Sequence, residues 1–285
     1  MRSSRINRKV SVYSIHVQGR QFDGDYGRVF RELADMDKPL RIAKIANLTI
    51  AVSDVTSIED EHFLTFVEGE EGLKPLILDL DTGDTRVDEL EEHEMLGSAA
   101  HALVNPEKRR ILVEYVKSGT KAELMARTIE LLLAKIYGED LRVDFSPVVK
   151  EDFVKEINSF TRIRMASLTL IKPNAGWDDH YTKISQLLQE SGGEKADLSV
   201  RAARGETLSK DSGIVEVIKD VANDAQPYLS DAEIIGIKEG EETETVVPLN
   251  KHVLHRNINV PRNQDGAINV LWLRNKMKEI MGILL

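Results

Sequence analysis

The chain has 285 residues, 41% of them apolar and 5% aromatic, with no cysteine and a formal charge of −10. That length accommodates one large or two ordinary domains, and the missing cysteine excludes disulfides, thiolate zinc sites and thiol nucleophiles. No apolar run approaches the roughly 18–20 residues of a membrane-spanning helix, so the chain is expected to be soluble and cytoplasmic.

Charge is segregated along the chain. Residues 1–20 carry Arg2, Arg5, Arg8, Lys9 and Arg20 and no acid. Residues 59–94 and 206–244 are acidic, and the last segment turns basic with Lys251, Arg256, Arg262, Arg274, Lys276 and Lys278. Net acidity disfavours general polyanion binding, but segregation leaves room for a local basic face.

In chain order, "KVSVYSIHVQG" alternates at period two and predicts a half-buried strand rather than a signal peptide. "DYGRVFRELADM" spaces Tyr26, Val29, Phe30 and Leu33 as one face of a short helix. Strands are expected at "NLTIAVSDV", "HFLTFVEG" and "PLILDLD". "SAAHALVNPEKRRILVEYV" reads as a hairpin turning at Asn105-Pro106-Glu107-Lys108. "GTKAELMARTIELLLAKIYG" predicts a helix with a Thr120/Glu123 capping box and a stop at Gly138.

In the second half, strands are expected at "LRVDFSPV", "RMASLTLIKP" and "KADLSVRAARG". "GWDDHYTKISQLLQES" predicts a helix with Trp177, Tyr181, Ile184 and Leu188 on one side, and "IVEVIKDVAND" a shorter one. "AEIIGIKEG" and "TVVPLN" pair as strands around an acidic turn, and "INVLWLRNKMKEIMGILL" closes as an amphipathic helix. Strands and helices mix without strict alternation. The expectation is an α+β fold of two domains, 1–148 and 149–285, each a mixed, mainly antiparallel sheet with packed helices.

The candidate chemistry starts at "LILDLDTGDTR". Asp79 and Asp81 resemble the nucleophile and acid of haloacid-dehalogenase phosphatases, with Asp178 and Asp179 as a metal pair. Yet Thr82-Gly83-Asp84 suits a hairpin turn, so the stretch reads as a turn with aspartates in it. His252 and His255 are the only close histidine pair and lack a third ligand nearby. No phosphate-binding loop, dinucleotide fingerprint or nucleophile elbow occurs. No catalytic residue, metal or cofactor is therefore expected.

Three basic groups are candidates for phosphate contact: a flexible arm of Arg5, Arg8 and Lys9, the turn Lys108, Arg109 and Arg110 with Lys117, and Arg201 with Arg204. Leu273, Met277 and Ile280 line an apolar stripe on the last helix and are candidates for a dimer contact.

Ile171-Lys172-Pro173 ending one strand, and Asp197-Leu198-Ser199-Val200-Arg201-Ala202 in another, resemble the C-terminal half of RexA-type phage-exclusion proteins. The first half is similar only in layout. The resemblance implies a homodimeric sensor that binds duplex DNA with little sequence preference and signals to a membrane partner encoded beside it. The alternative is a protein-interaction module of a prophage or defence system that docks a partner on its acidic face and never meets DNA. A third reading is a metal-dependent nuclease or phosphatase using Asp79 and Asp81.

Overall fold

The computed structural model describes residues 5–171, 191, 193, 195–223 and 229–284, and the fold is α+β. Its strands in the first half are β1 (Arg5–Gln18), β2 (Ile42–Ile45), β3 (Leu48–Ile58), β4 (Glu61–Gly69), β5 (Leu76–Leu78), β6 (Thr85–Val87), β7 (Gly97–Asn105) and β8 (Arg110–Tyr115). Those that follow are β9 (Arg142–Pro147), β10 (Phe160–Ile171), β11 (Lys195–Arg201), β12 (Leu229–Lys238), β13 (Thr245–Pro248) and β14 (His255–Pro261). The described helices are α1 (Tyr26–Asp35), α2 (Ala122–Tyr137), α3 (Glu151–Asn158), α4 (Ile214–Asn223) and α5 (Val270–Leu284). The helix expected over "GWDDHYTKISQLLQES" lies outside the described residues.

One sheet runs in the order β14-β1-β8-β7-β4-β3-β2, with β9 also on β1. A four-stranded sheet runs β11-β10-β12-β13, and β5 pairs with β6 alone. By compactness the chain divides into one unit of Met1–Val10, Gly19–Val143 and Asn257–Leu285, and another of Ser11–Gln18 and Asp144–Arg256.

In the first unit, α1 begins where Asp25 accepts the Arg28 backbone N–H at 2.9 Å. Its expected face of Tyr26, Val29, Phe30 and Leu33 is buried. At the other end the buried Arg41 guanidinium donates to the carbonyls of Met36 and Ala34, each at 2.6 Å, and satisfies groups the helix leaves over. Helix α2 starts one residue later than a Thr120 cap requires. Lys121 stands at its cap without a side-chain bond and Thr120 is buried beneath the turn, so the capping box does not form. Gly138 does end it, at φ +90° with its N–H on the Ala134 carbonyl. Ile111, Leu112 and Val113 are consecutive and all buried, so β8 is covered on both faces and shows no alternation.

Three neighbouring strands of this sheet share a buried ionic cluster. Glu114 on β8 is fully buried; Arg8 Nε on β1 stands 3.0 Å from its Oε1, and His101 Nδ1 on β7 stands 2.7 Å from its Oε2. An ionised carboxylate only accepts, so the His101 Nδ1 carries the hydrogen. The Phe63 ring stacks on His101 with centroids 5.5 Å apart.

The second unit packs α3 and α4 on its sheet. Phe153 and Ile157 of α3 and Val215, Ile218 and Val221 of α4 close over Phe160, Ile163, Leu168 and Ile234.

His62 on β4 offers a test of the packing of the first unit. It is buried, its ring stacks on Phe30 at 5.8 Å, and its Nδ1 stands 2.9 Å from Ser57 Oγ. Burial, reinforced by the charge of Arg31, pushes the imidazole below its ordinary value of 6.5. A lowered folded-state value means that the unfolded chain binds the proton more readily. His62 therefore contributes stability above the ordinary value that is lost as pH falls towards the folded one. Thermal unfolding followed from about pH 7 to about pH 5 should show a smaller loss of Tm in His62→Gln than in the native chain. Equal losses would discount the site.

Candidate interaction surface

Strands β4 and β7 are antiparallel neighbours, and their pairing ends at Gly69↔Gly97. Residues 70–96 are an excursion that leaves and re-enters the sheet through these two glycines. Both are needed for space: a Cβ on Gly69 would lie 2.6 Å from the Leu96 carbonyl oxygen, and one on Gly97 2.4 Å from Val67 Cγ1. Within the excursion β5 and β6 form a two-stranded ribbon with Leu76↔Val87, Ile77↔Arg86 and Leu78↔Thr85 opposed.

The tip of the ribbon is the stretch with the phosphatase-like aspartates, and it is a turn. The Asp79 carboxylate accepts the backbone N–H groups of Asp81 at 2.8 Å and Thr82 at 3.0 Å, and Gly83 takes a φ of +75°. Those bonds, that from Thr82 foremost, hold the Asp79 carboxyl below the usual carboxylate range. The aspartate thus serves its own loop. Asp178 and Asp179 lie outside the described residues.

This ribbon leaves its apolar side chains in water. Leu76, Leu78 and Val87 are 66%, 55% and 55% exposed, and Leu80 at the turn is 90% exposed. Residues two apart on a strand, and those directly opposed across a pair, share a face. Leu76, Leu78 and Val87 therefore form one apolar face. Residues 70–96 carry ten carboxylates against two cations, Lys74 and Arg86. Both cations are already engaged inside the excursion, Lys74 with Glu89 at 4.0 Å and Arg86 with Asp88 at 2.9 Å. Glu71 anchors the base by accepting from Lys44 Nζ and Thr49 Oγ1, each at 2.8 Å. The sequence marked this region as acidic and its leucines as a strand. What it did not reveal is that the leucines are uncovered, although their enclosure by carboxylates on both sides was a visible signal.

The basic candidates belong to different elements. Arg5, Arg8 and Lys9 belong to β1 and form no free arm, and Arg8 is spent on Glu114. Lys108 and Arg109 are exposed at the β7–β8 turn, where Arg109 takes φ +51° and lies 4.9 Å over the Tyr26 ring. Arg110 is half-buried, and desolvation lowers its affinity for its proton. Lys117 is exposed after β8. In the second unit Arg201 and Arg204 are exposed, with Arg201 3.8 Å from Met165 Sδ.

The dimer candidates are corrected. Leu273 and Met277 are fully buried and Ile280 nearly so, within this chain, because the i, i+4, i+7 ridge of α5 packs on its own unit. The exposed apolar residues of α5 are Val270, Leu271 and Ile283, and Lys278 ties it to Glu59 at 2.7 Å.

The histidine pair separates too. His252 Nδ1 stands 3.2 Å from Asp152 and Nε2 2.8 Å from Glu156, whereas His255 Nδ1 donates to the Val253 carbonyl. Among the described residues no cluster of histidines and carboxylates could hold a metal ion, and no helix is long and apolar enough to cross a membrane.

The glycine gate is open to test. Gly97→Ala should lower stability by about 1–3 kcal/mol, because a Cβ there meets the packed Val67. Gly282→Ala, whose Cβ meets open space, is the control and should not destabilise in the same urea titration.

No curated protein matches the chain. Residues 6–246 match the family described as a domain of unknown function, DUF4747, and the chain belongs to that family.

Proposed function

We propose that this protein is a cytoplasmic protein-binding module that docks its partner through the hairpin of residues 70–96. One observation carries the reading: an apolar face of Leu76, Leu78 and Val87 stands in water on an element that leaves the sheet altogether. Covering a leucine or valine side chain fully contributes about 1.5–3 kcal/mol, so three of them supply a strong drive to associate. A photo-crosslinking residue at position 78, expressed in the cells that make the protein, tests this. Discrete adducts with another protein should form, and Leu76→Asp/Leu80→Asp should remove them. The same adducts from a probe at the exposed Thr161 would refute a hairpin-specific contact.

A second reading has the exclusion-type sensor contacting duplex DNA as a homodimer. It is favoured by Lys108, Arg109 and Lys117, which are exposed in the first unit with no carboxylate paired to them among the described residues. Each phosphate contact adds to the salt dependence of binding. Duplex affinity should then fall steeply with salt, and Lys108→Ala/Lys117→Ala should flatten that slope. Absence of binding at low salt would eliminate this reading.

A further inference from the structure

We infer that the hairpin's partner presents a cationic amphipathic helix, laid across the ribbon with its apolar stripe on Leu76, Leu78 and Val87. This rests on the protein-binding reading above and names the chemistry of what binds.

The shape of the partner follows from the ribbon. Two strands are too few to sustain themselves in water, and they gain independent stability from a third strand or from a helix packed on their apolar face. Among the described residues β5 and β6 pair with no other strand. A third strand added at an edge would lengthen the ribbon but leave Leu76, Leu78 and Val87 in water. A helix across the face removes all three from water at once, the arrangement by which an amphipathic helix seats in an apolar groove.

The charge of the partner follows from the rim. Asp79, Asp81, Asp84, Glu89, Glu91 and Glu92 are exposed, and the two cations of the excursion are held by Glu89 and Asp88. An anionic or neutral helix would dock against uncompensated like charge or bury carboxylates without partners. Lysines or arginines flanking the apolar stripe meet that rim. The same rim opposes contact with an anionic membrane surface, so the occupant is a protein segment rather than lipid.

The test uses the full chain and three labelled synthetic peptides in fluorescence anisotropy. One is a lysine–leucine peptide with leucines at helical spacing, one has the same composition scrambled, and one has glutamates in place of its lysines. The first should bind, should weaken at least tenfold against Leu76→Ser/Leu78→Ser, and should weaken with added salt. Neutralising Glu89, Glu91, Glu92 and Glu94 to glutamine should remove most of that salt dependence. These are exposed surface positions, and an unchanged Tm confirms that each variant is folded.

Equal binding by the scrambled peptide would overturn the inference, because charge alone would then suffice. So would binding by the glutamate peptide, or no binding by any. The crosslink at position 78 separates the two failures. Adducts that persist while no peptide binds leave a protein-binding module with a partner of other chemistry. Adducts composed of two copies of this chain would overturn the cationic helix in favour of self-association.

Discussion

Glu114 is a carboxylate with no access to water, and the first unit is organised around its neutralisation. A buried charge without a partner is prohibitively costly, so strands on both sides must deliver one: Arg8 from β1 and His101 from β7. With that pairing β1 lies beside β8 in the sheet order, and Arg5, Arg8 and Lys9 sit in a strand. The pairing also explains why local charge is a poor guide to ligands here. Arg8 looks like part of a cationic arm, yet its charge is compensated inside the fold.

The same sheet displays the opposite behaviour where β4 meets β7. There the pairing stops at two glycines, and the chain between them is released from the core. Apolar residues in a sheet are ordinarily covered by a neighbouring layer; those of the ribbon have none among the described residues. In the proposed docking, the ten carboxylates of residues 70–96 would oppose association with anionic surfaces and favour a partner of opposite charge. On that proposed reading, a hairpin apolar on one face and acidic in its flanking residues would select by repulsion as much as by attraction.

In the second unit polar side chains satisfy one another within the fold. His252 lies between Asp152 and Glu156, and Glu156 is also bonded to Lys238. Those groups satisfy one another at the junction of α3 with the sheet, whereas His255 turns to the Val253 carbonyl.

The amino-acid sequence by itself determined the local elements. The α1 face, the β7–β8 hairpin, the stop at Gly138 and the turn at Asp79 were legible because each depends on residues within a few positions of one another. The Thr120 capping box failed although its spacing was right, because Thr120 is buried and Lys121 takes the cap position. Only the tertiary structure decided which apolar stripes are covered. "LWLRNKMKEI" and "LILDLD" both present apolar residues at regular spacing, and the first buries Leu273 and Met277 while the second leaves Leu76 and Leu78 exposed. Periodicity specifies that a face is apolar; what lies opposite that face is set by strands far away in the chain. The candidate site was therefore half visible, in its charge and its turn, and hidden in the exposure of its leucines.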